Sequence, residues 1–153
     1  QPESSAASDV YKRQVYGGGG ITPDKYIPYK SKLTKETQKL LRNPERPIFN
    51  FSSSYATQNN LGYDSFTKFK KNWKVNQTMY SQFLDYLDSD SISFIADSLE
   101  VDRTFINNRI KSEIAGTIWG KDESASIRLA LDNQVSEALK YFNEANAFLG
   151  YRN

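Results

Sequence analysis

Residues 101–119 have the sequence VDRTFINNRIKSEIAGTIW, which contains the strongest helical pattern in the chain. Its apolar side chains recur every three or four residues and therefore lie on one stripe of an α-helix. Gly120 follows as a C-terminal stop. We expect this stripe to pack against other helices; its members are Phe105, Ile106, Ile110, Ile114, Ala115 and Ile118.

The end of the chain predicts a partner helix from Ser124 to Leu149. Its apolar residues alternate mainly between spacings of four and three, and they are Ile127, Leu131, Val135, Ala138, Phe142, Ala145 and Leu149. Such a repeat is typical of antiparallel bundles and of coiled coils. We favour a bundle within one chain, because the preceding helix is joined by a short turn. Trp119 and Phe142 are the predicted core anchors where these two helices meet.

Shorter helices are predicted upstream, separated by prolines and glycines. One spans about 34–42, and a second runs from Pro44 or Pro47 to Gln58. Three more begin at polar caps: Asp64 before Phe66, Phe69 and Trp73, Asn76 before Met79, Phe83, Leu84 and Leu87, and Asp88–Ser91 before Ile92, Phe94, Ile95 and Leu99. Residues 31–153 are therefore predicted to be mainly α, a multi-helix bundle.

Composition limits the chemistry that this chain can perform. It has 153 residues, 38% hydrophobic and 25% charged, as one ordinary domain would. It contains no His and no Cys, which excludes serine-histidine triads, cysteine nucleophiles, disulfides and the common zinc sites. The net charge of +2 gives no strong field for nucleic acid or an anionic membrane. No cofactor is predicted.

Three local patterns were candidates for chemistry. Asp85, Asp88 and Asp90 suggest a cation loop, but the glycine and terminal glutamate of an EF-hand are absent, so helix capping is favoured. Lys68–Lys74 interleaves bases with aromatic residues as a single-strand nucleic-acid platform does. Helical spacing favours aromatic residues in the core and lysines in solvent instead. Ser52–Ser54 offers hydroxyls without a base nearby in the sequence.

The start of the chain differs in character from the rest. Ser4–Gln14 resembles the translation of a transposase sequencing adapter, so residues 1–14 are predicted to be a non-native, disordered arm. Gly17–Gly20 could cradle a phosphate, but neither the phosphate-loop nor the dinucleotide spacing is present. Pro23 and Pro28 also interrupt the helix that either motif needs. We favour a tight loop at the edge of a larger sheet.

The stretch Val15–Asp24, VYGGGGITPD, closely resembles the segment that closes the protease core of carboxy-terminal processing peptidases, also called tail-specific proteases. These enzymes use a serine-lysine dyad. The remainder resembles the helical C-terminal extension of cell-envelope members of that family, especially Ile106–Trp119 and Ala130–Phe142. The resemblance implies that residues 15–30 are the last strand and the Gly/Pro-rich loop of a truncated α/β protease core, with residues 31–153 as a helical C-terminal domain.

The resemblance also implies a function for the parent protein. The family's catalytic serine and lysine lie upstream of the glycine-rich strand, and neither motif is present, so no catalytic, cofactor-binding or metal-binding residue is assigned here. The parent would be a serine endopeptidase that processes proteins near their C-termini, and this fragment alone would be an inactive accessory domain. Its implied partners are the missing core, protein substrates and further copies of the chain. Its implied location is the bacterial cell envelope, in the periplasm or anchored to face it.

A different class of function remains open, which is a free-standing helical protein-interaction module without an enzymatic parent. It leaves the glycine run without a sheet to join. An exposed apolar patch would favour the missing-core hypothesis, whereas packing of this segment onto the helices would weaken it; the residues concerned are Val15, Tyr16, Ile21, Tyr26, Ile27 and Tyr29.

Overall fold

The computed structural model describes residues 7–8, 14–15, 25–28 and 32–148. The described chain is mainly α and forms a multi-helix bundle, which confirms the predicted fold class. A 3-10 turn at Leu129–Leu131 separates two of the helices. The helices are α1 Lys35–Arg42, α2 Pro47–Gln58, α3 Phe66–Asn72, α4 Gln77–Ser89, α5 Ala96–Val101, α6 Arg103–Ile118, α7 Lys121–Arg128, α8 Asn133–Lys140 and α9 Phe142–Phe148.

A short antiparallel pair precedes the helices. Strand β1, Ala7–Ser8, pairs with β2, Gln14–Val15, so that Ala7 lies opposite Val15. Strand β1 lies within the predicted disordered arm, and β2 lies where that arm meets the predicted protease segment. Two strands of two residues each are too short to be stable by themselves. Residues 16–24, which include the glycine run and most of the predicted protease strand, lie outside the described residues.

Helix α6 lies at the centre of the bundle and confirms the pattern that predicted it. Ile106, Ile110, Ile114 and Ala115 are fully buried, against α2 and α7 among others. Ile118, at the end of the same stripe, is 43% exposed. Residues from α1 to α7 complete the core: Leu40, Ile48, Phe51, Phe69, Met79, Tyr80, Phe83, Leu87, Leu99 and Ile127.

Helices α6 and α7 approach closely along small residues. Gly120, with φ of 126°, forms the turn between them. A Cβ placed on Gly116 would lie 3.2 Å from the Ser124 Cβ, and the buried hydroxyls of Ser112 and Ser124 are 3.1 Å apart. Because neither helix presents a bulky side chain at this point, their backbones can pack together along the last turns of α6.

Of the predicted helix caps, the one at Asn76 is confirmed. Thr34 caps α1, and its Oγ1 accepts a hydrogen bond from the Thr37 N–H at 3.3 Å. Asn76 caps α4 as predicted, with its Oδ1 2.9 Å from the Met79 nitrogen. Helix α2 begins at Pro47, one of the two starts considered. For α3 the cap is Ser65 instead of Asp64, one residue later than predicted.

The prediction that Asp88–Ser91 caps a following helix is wrong. Helix α4 continues through Ser89, and α5 begins only at Ala96. Ser91 adopts φ of 55°, while the Ser91 and Ile92 N–H groups donate to the Asp88 and Leu87 carbonyls. This pair of bonds is the Schellman motif that ends a helix. Residues Asp88–Ser91 therefore end α4 and do not begin α5.

The long helix predicted over Ser124–Leu149 is also wrong. The chain leaves α7 after Arg128, and Asp132 then caps α8 by accepting from the Gln134 and Val135 N–H groups. Of the predicted seam, Ile127 is buried, whereas Leu131 is 48% and Phe142 61% exposed. Leu149 lies outside the described residues. An aspartate that caps a new helix overrides the apolar repeat.

Trp119 and Phe142 do not meet, which corrects the predicted anchor pair. The half-buried Trp119 ring instead packs against α3, with ring centroids 5.9 Å from Phe66 and 5.0 Å from Phe69. Trp73 in turn stacks on Phe69, with ring centroids 5.0 Å apart. These rings form an aromatic cluster between α3 and the end of α6, at the place where the α6–α7 turn begins.

Candidate functional site

The lysine-rich segment of α3 has the arrangement that helical spacing predicts. Phe69 is fully buried, while Phe66 and Trp73 are partly buried against the core. Lys68, Lys70 and Lys71 are exposed on the other side of the helix. The rings are engaged with one another and with Trp119, so they do not form an open platform on which bases could stack.

Lys111 is the lysine whose environment most resembles that of a catalytic amine. Burial lowers the pKa of its ammonium, and the nearby charges of Lys74 and Lys70 lower it further. However, its Nζ donates to the Lys70 and Trp73 carbonyls, at 2.7 Å and 2.6 Å. Those carbonyls lie at the C-terminal end of α3, where a cation is favourable. Lys111 therefore ties α6 to α3 and is not directed at a serine hydroxyl.

The serines of the described chain have other neighbours. Ser52 is fully buried on α2, and its Oγ has no hydrogen-bond partner. Ser126 accepts a hydrogen bond from the Lys70 Nζ at 2.7 Å, but this pair is exposed to solvent. A serine nucleophile needs a base with a lowered pKa in a site that excludes water. Neither serine has such an environment.

The acidic candidates Asp85, Asp88 and Asp90 are exposed. Within the residues that the structure describes, no group of three or more acidic residues could hold a metal ion. Asp90 instead lies beside Tyr86, where burial first and hydrogen bonding to Asp90 second raise the pKa of the phenol to about 12. The described helices include none that is long and apolar enough to cross a membrane.

A polar groove between α2 and α4 is the most distinctive concave feature. It has a volume of about 460 Å³, a size typical of small-molecule sites. Phe51, Tyr55, Met79 and Tyr86 contribute apolar surface, and six amide or hydroxyl side chains surround it: Ser54, Gln58, Asn59, Asn76, Thr78 and Gln82. None of the lining residues is charged. Sequence reasoning missed this groove, although residues 47–63 and 75–84 contain no charged residue.

A second feature is the attachment of residues 25–28 to the C-terminal helices. The Asn133 and Gln134 side-chain amides donate to the Pro28 and Ile27 carbonyls, at 3.1 Å and 2.7 Å. Lys25 lies 3.7 Å from Glu144. Four large apolar side chains between the end of α7 and the start of α9 are substantially exposed, and we call them the C-terminal apolar set: Leu129, Leu131, Leu139 and Phe142.

The predicted apolar patch near the start is only partly described. Tyr26 is 83% exposed, whereas Ile27 is half-buried. Tyr16, Ile21 and Tyr29 lie outside the described residues. The segment that leads into the helices is thus held through its backbone carbonyls, while the ring of Tyr26 remains in solvent.

Comparison with known proteins relates the chain to a family model. A family model described as a family of unknown function (DUF8443) matches residues 38–120, which is more than half of the 153 residues. The match contains α2 to α6 and every residue that lines the polar groove. No curated protein and no solved structure matches the chain.

Proposed function

Since the chain belongs to DUF8443, a family of unknown function, we propose its function from its own residues. It is the helical accessory domain of a carboxy-terminal processing peptidase, and it packs against a protease core that precedes it in the full-length protein. The resemblance of Val15–Asp24, VYGGGGITPD, to the segment that closes such cores supports this proposal. The whole protein would then be a serine endopeptidase of the bacterial cell envelope, acting on protein substrates.

The observation that carries the proposal is the exposed apolar surface beside the place where the chain enters the helical bundle. Residues 25–28 directly follow the stretch that resembles the protease, and Asn133 and Gln134 hold them against α8. Leu139 and Phe142, on α8 and α9, are 60% and 61% exposed. Exposed groups of large apolar side chains often mark interaction surfaces. A core that precedes Lys25 would enter beside this apolar set and could cover it.

In this proposal the helical domain has a structural role and supplies no catalytic residue. The nucleophilic serine and its lysine belong to the upstream core, as the resemblance implies. The domain could position the core, support a homo-oligomer or restrict the access of substrates. Lys111 and the aromatic cluster would serve its internal stability, because the Lys111 ammonium is already committed to two carbonyls of α3.

One observation favours the alternative, a free-standing helical interaction module. The backbone of Ile27 and Pro28 is bound by side chains of the helical part itself. A segment that needs no external sheet would be held in this way. The two hypotheses differ in what lies upstream of Val15, so the sequence there separates them.

The experiment is to recover the uninterrupted gene from the source DNA and to assay the full-length protein on an unfolded protein substrate. We expect an upstream serine and lysine and activity that residues 15–153 lack. Phe142→Glu should lower that activity about tenfold, by about 1.4 kcal/mol, because a charge would enter the surface that the core covers. Val101→Glu is the matched control, because Val101 is 76% exposed on α5, outside the C-terminal apolar set.

Two results would contradict the proposal, one its protease parent and the other its interface. An open reading frame without the serine and lysine would leave the interaction module as the remaining hypothesis. A full-length protease in which Phe142→Glu and Val101→Glu behave alike would keep the parent enzyme but remove the C-terminal apolar set from its interface.

A further inference from the structure

The polar groove is formed by one face of each of two helices. Phe51, Ser54, Tyr55 and Gln58 follow one another at helical spacing on α2, and Met79, Gln82 and Tyr86 do so on α4. The helices meet where Phe51 on α2 contacts Tyr86 on α4, with ring centroids 5.7 Å apart. The groove therefore extends along both helices and has a rigid floor of core side chains.

The composition of these helices is unusual for surfaces exposed to water. One residue in four of the whole chain is charged, yet 47–63 and 75–84 contain none. Exposed helical positions are most stable with Lys, Glu, Gln or Arg, whereas Ser, Thr and Asn are poorer helix formers. Helix α2 nevertheless has Ser54 at an exposed position in the groove. An uncharged surface of amides and hydroxyls suits a ligand with neutral polar groups.

The amides at the groove are held in place before any ligand arrives. The Gln58 Nε2 donates to the Ser54 hydroxyl at 2.8 Å, and the Asn59 Nδ2 donates to the Tyr55 carbonyl at 2.9 Å. The Asn76 Oδ1 accepts from the Met79 N–H. Each bond fixes one end of an amide and leaves the other end available. Groups that are already ordered lose less entropy on binding.

We propose that this groove binds a neutral saccharide. Each hydroxyl of a sugar both donates and accepts hydrogen bonds, and the amides of Gln58, Asn59, Asn76 and Gln82 offer both functions. The carbon-bound hydrogens of a pyranose face would pack on the apolar surface of Tyr55 and Tyr86. The proposal concerns residues within the DUF8443 match, and it does not depend on a protease parent.

The same chemistry disfavours other ligands. Phosphates and carboxylates are usually bound by Arg or Lys, and none lines the groove. An extended peptide is recognised through the free edge of a sheet, and a helical peptide through a mainly apolar groove. Two helices with a dense rim of amides and hydroxyls provide neither.

The test is a titration of the intact chain with defined trisaccharides, followed by NMR of the backbone amides. The neutral probes are triacetylchitotriose and cellotriose, and the charged probes are the glucosamine trimer and the galacturonate trimer. We expect saturable shifts of amides in 47–63 and 75–84 with at least one neutral probe. The charged probes should bind more weakly, because a desolvated charge would find no partner in the groove.

The matched variants separate the groove from its surroundings. Gln58→Leu combined with Gln82→Leu keeps helix propensity and removes two amides, and should weaken binding about tenfold, equivalent to about 1.4 kcal/mol. Thr57→Leu, at the adjacent exposed position outside the groove, should bind as the unchanged chain does. Circular dichroism of each variant would establish that it is folded.

Several outcomes would overturn the proposal. One is the absence of saturable shifts with either neutral probe at millimolar concentration. Another is binding that the double variant retains, or that maps outside α2 and α4. Stronger binding of a charged trimer would contradict the argument from neutrality. A neutral peptide such as Gly-Ser-Gln-Asn-Ser-Gly that binds the groove when both saccharides fail would replace the saccharide by a peptide.

Discussion

Asp102 is the residue through which α1 is joined to the centre of the bundle. Its Oδ2 accepts from the Thr34 N–H at 2.7 Å and from the Thr34 hydroxyl at 2.8 Å. Burial alone would raise the pKa of this carboxyl, but hydrogen bonds from Thr37 and Thr34 outweigh it and hold the pKa below its usual value of 3.8. One side chain between α5 and α6 thus fixes the start of α1, 68 residues earlier in the chain.

Asp102→Asn should lower the free energy of unfolding at pH 7 by about 1–3 kcal/mol, since hydrogen bonds to a charged acceptor are replaced by weaker bonds to a neutral amide. Because the folded pKa lies below the unfolded one, this stability is present above about pH 4 and is lost as the pH falls through the folded pKa. Urea unfolding at pH 7 and pH 2 measures it. The exposed Asp97→Asn is the control, with an expected change within about 0.5 kcal/mol. An Asp102→Asn deficit that persists unchanged at pH 2 would contradict the role of the charge.

Some features of single residues can be predicted from the sequence, and others cannot. Asn76 precedes an apolar helical pattern, so its role as a cap follows from local chemistry. Ser91 gives no such signal, because the left-handed position that ends α4 is usually glycine. The Asp102–Thr34 contact is equally invisible, because it joins residues that only the folded chain brings together.

At the level of helices, the apolar stripe of α6 predicted its buried face correctly, whereas the repeat that follows it did not form one helix. A periodic pattern states which residues can share a face, but it does not state whether the helix continues. Asp132 interrupts the repeat by capping α8. The aromatic partners of Trp119 are Phe66 and Phe69 on α3 and not Phe142.

Two alanine substitutions test this assignment. Trp119→Ala should cost about 2–3 kcal/mol of unfolding free energy, less than a fully buried aromatic residue, because the ring is only partly enclosed by Phe66 and Phe69. Phe142→Ala should change it by no more than about 0.5 kcal/mol, since Phe142 is 61% exposed. Thermal or urea unfolding of both variants provides the comparison. Equal losses of unfolding free energy in the two variants would show that Phe142 is buried in the core.

At the scale of the whole molecule, the buried core of the described residues ends in α7. Ile127 is the last residue of the core, and α8 contains no buried residue. The mainly α fold was predictable because most helices have apolar stripes and recognisable ends. The polar groove was not predicted, because its signal is a lack of charges spread over two separate segments, which no motif describes.

Two shortened chains should therefore behave differently. A chain that ends at Asp132 should lose less than about 1 kcal/mol of unfolding free energy, because it removes α8, which has no buried side chain. A chain that ends at Gly120 loses Ile127 and exposes the α6 face, so it should lose about 2–5 kcal/mol or fail to fold. Urea unfolding measures both. Equal stability of the two chains would show that α7 is dispensable.

The contact between Ser112 and Ser124 has a consequence for how this sequence can evolve. Ser112 lies inside the stretch shared with DUF8443, and Ser124 lies beyond it. Replacing either serine alone leaves a buried hydroxyl without its partner, at a cost of about 1–3 kcal/mol, whereas replacing both by alanine is nearly neutral. A single replacement therefore lowers stability, whereas the double replacement leaves it nearly unchanged. The unit that selection must maintain extends past the shared stretch into α7.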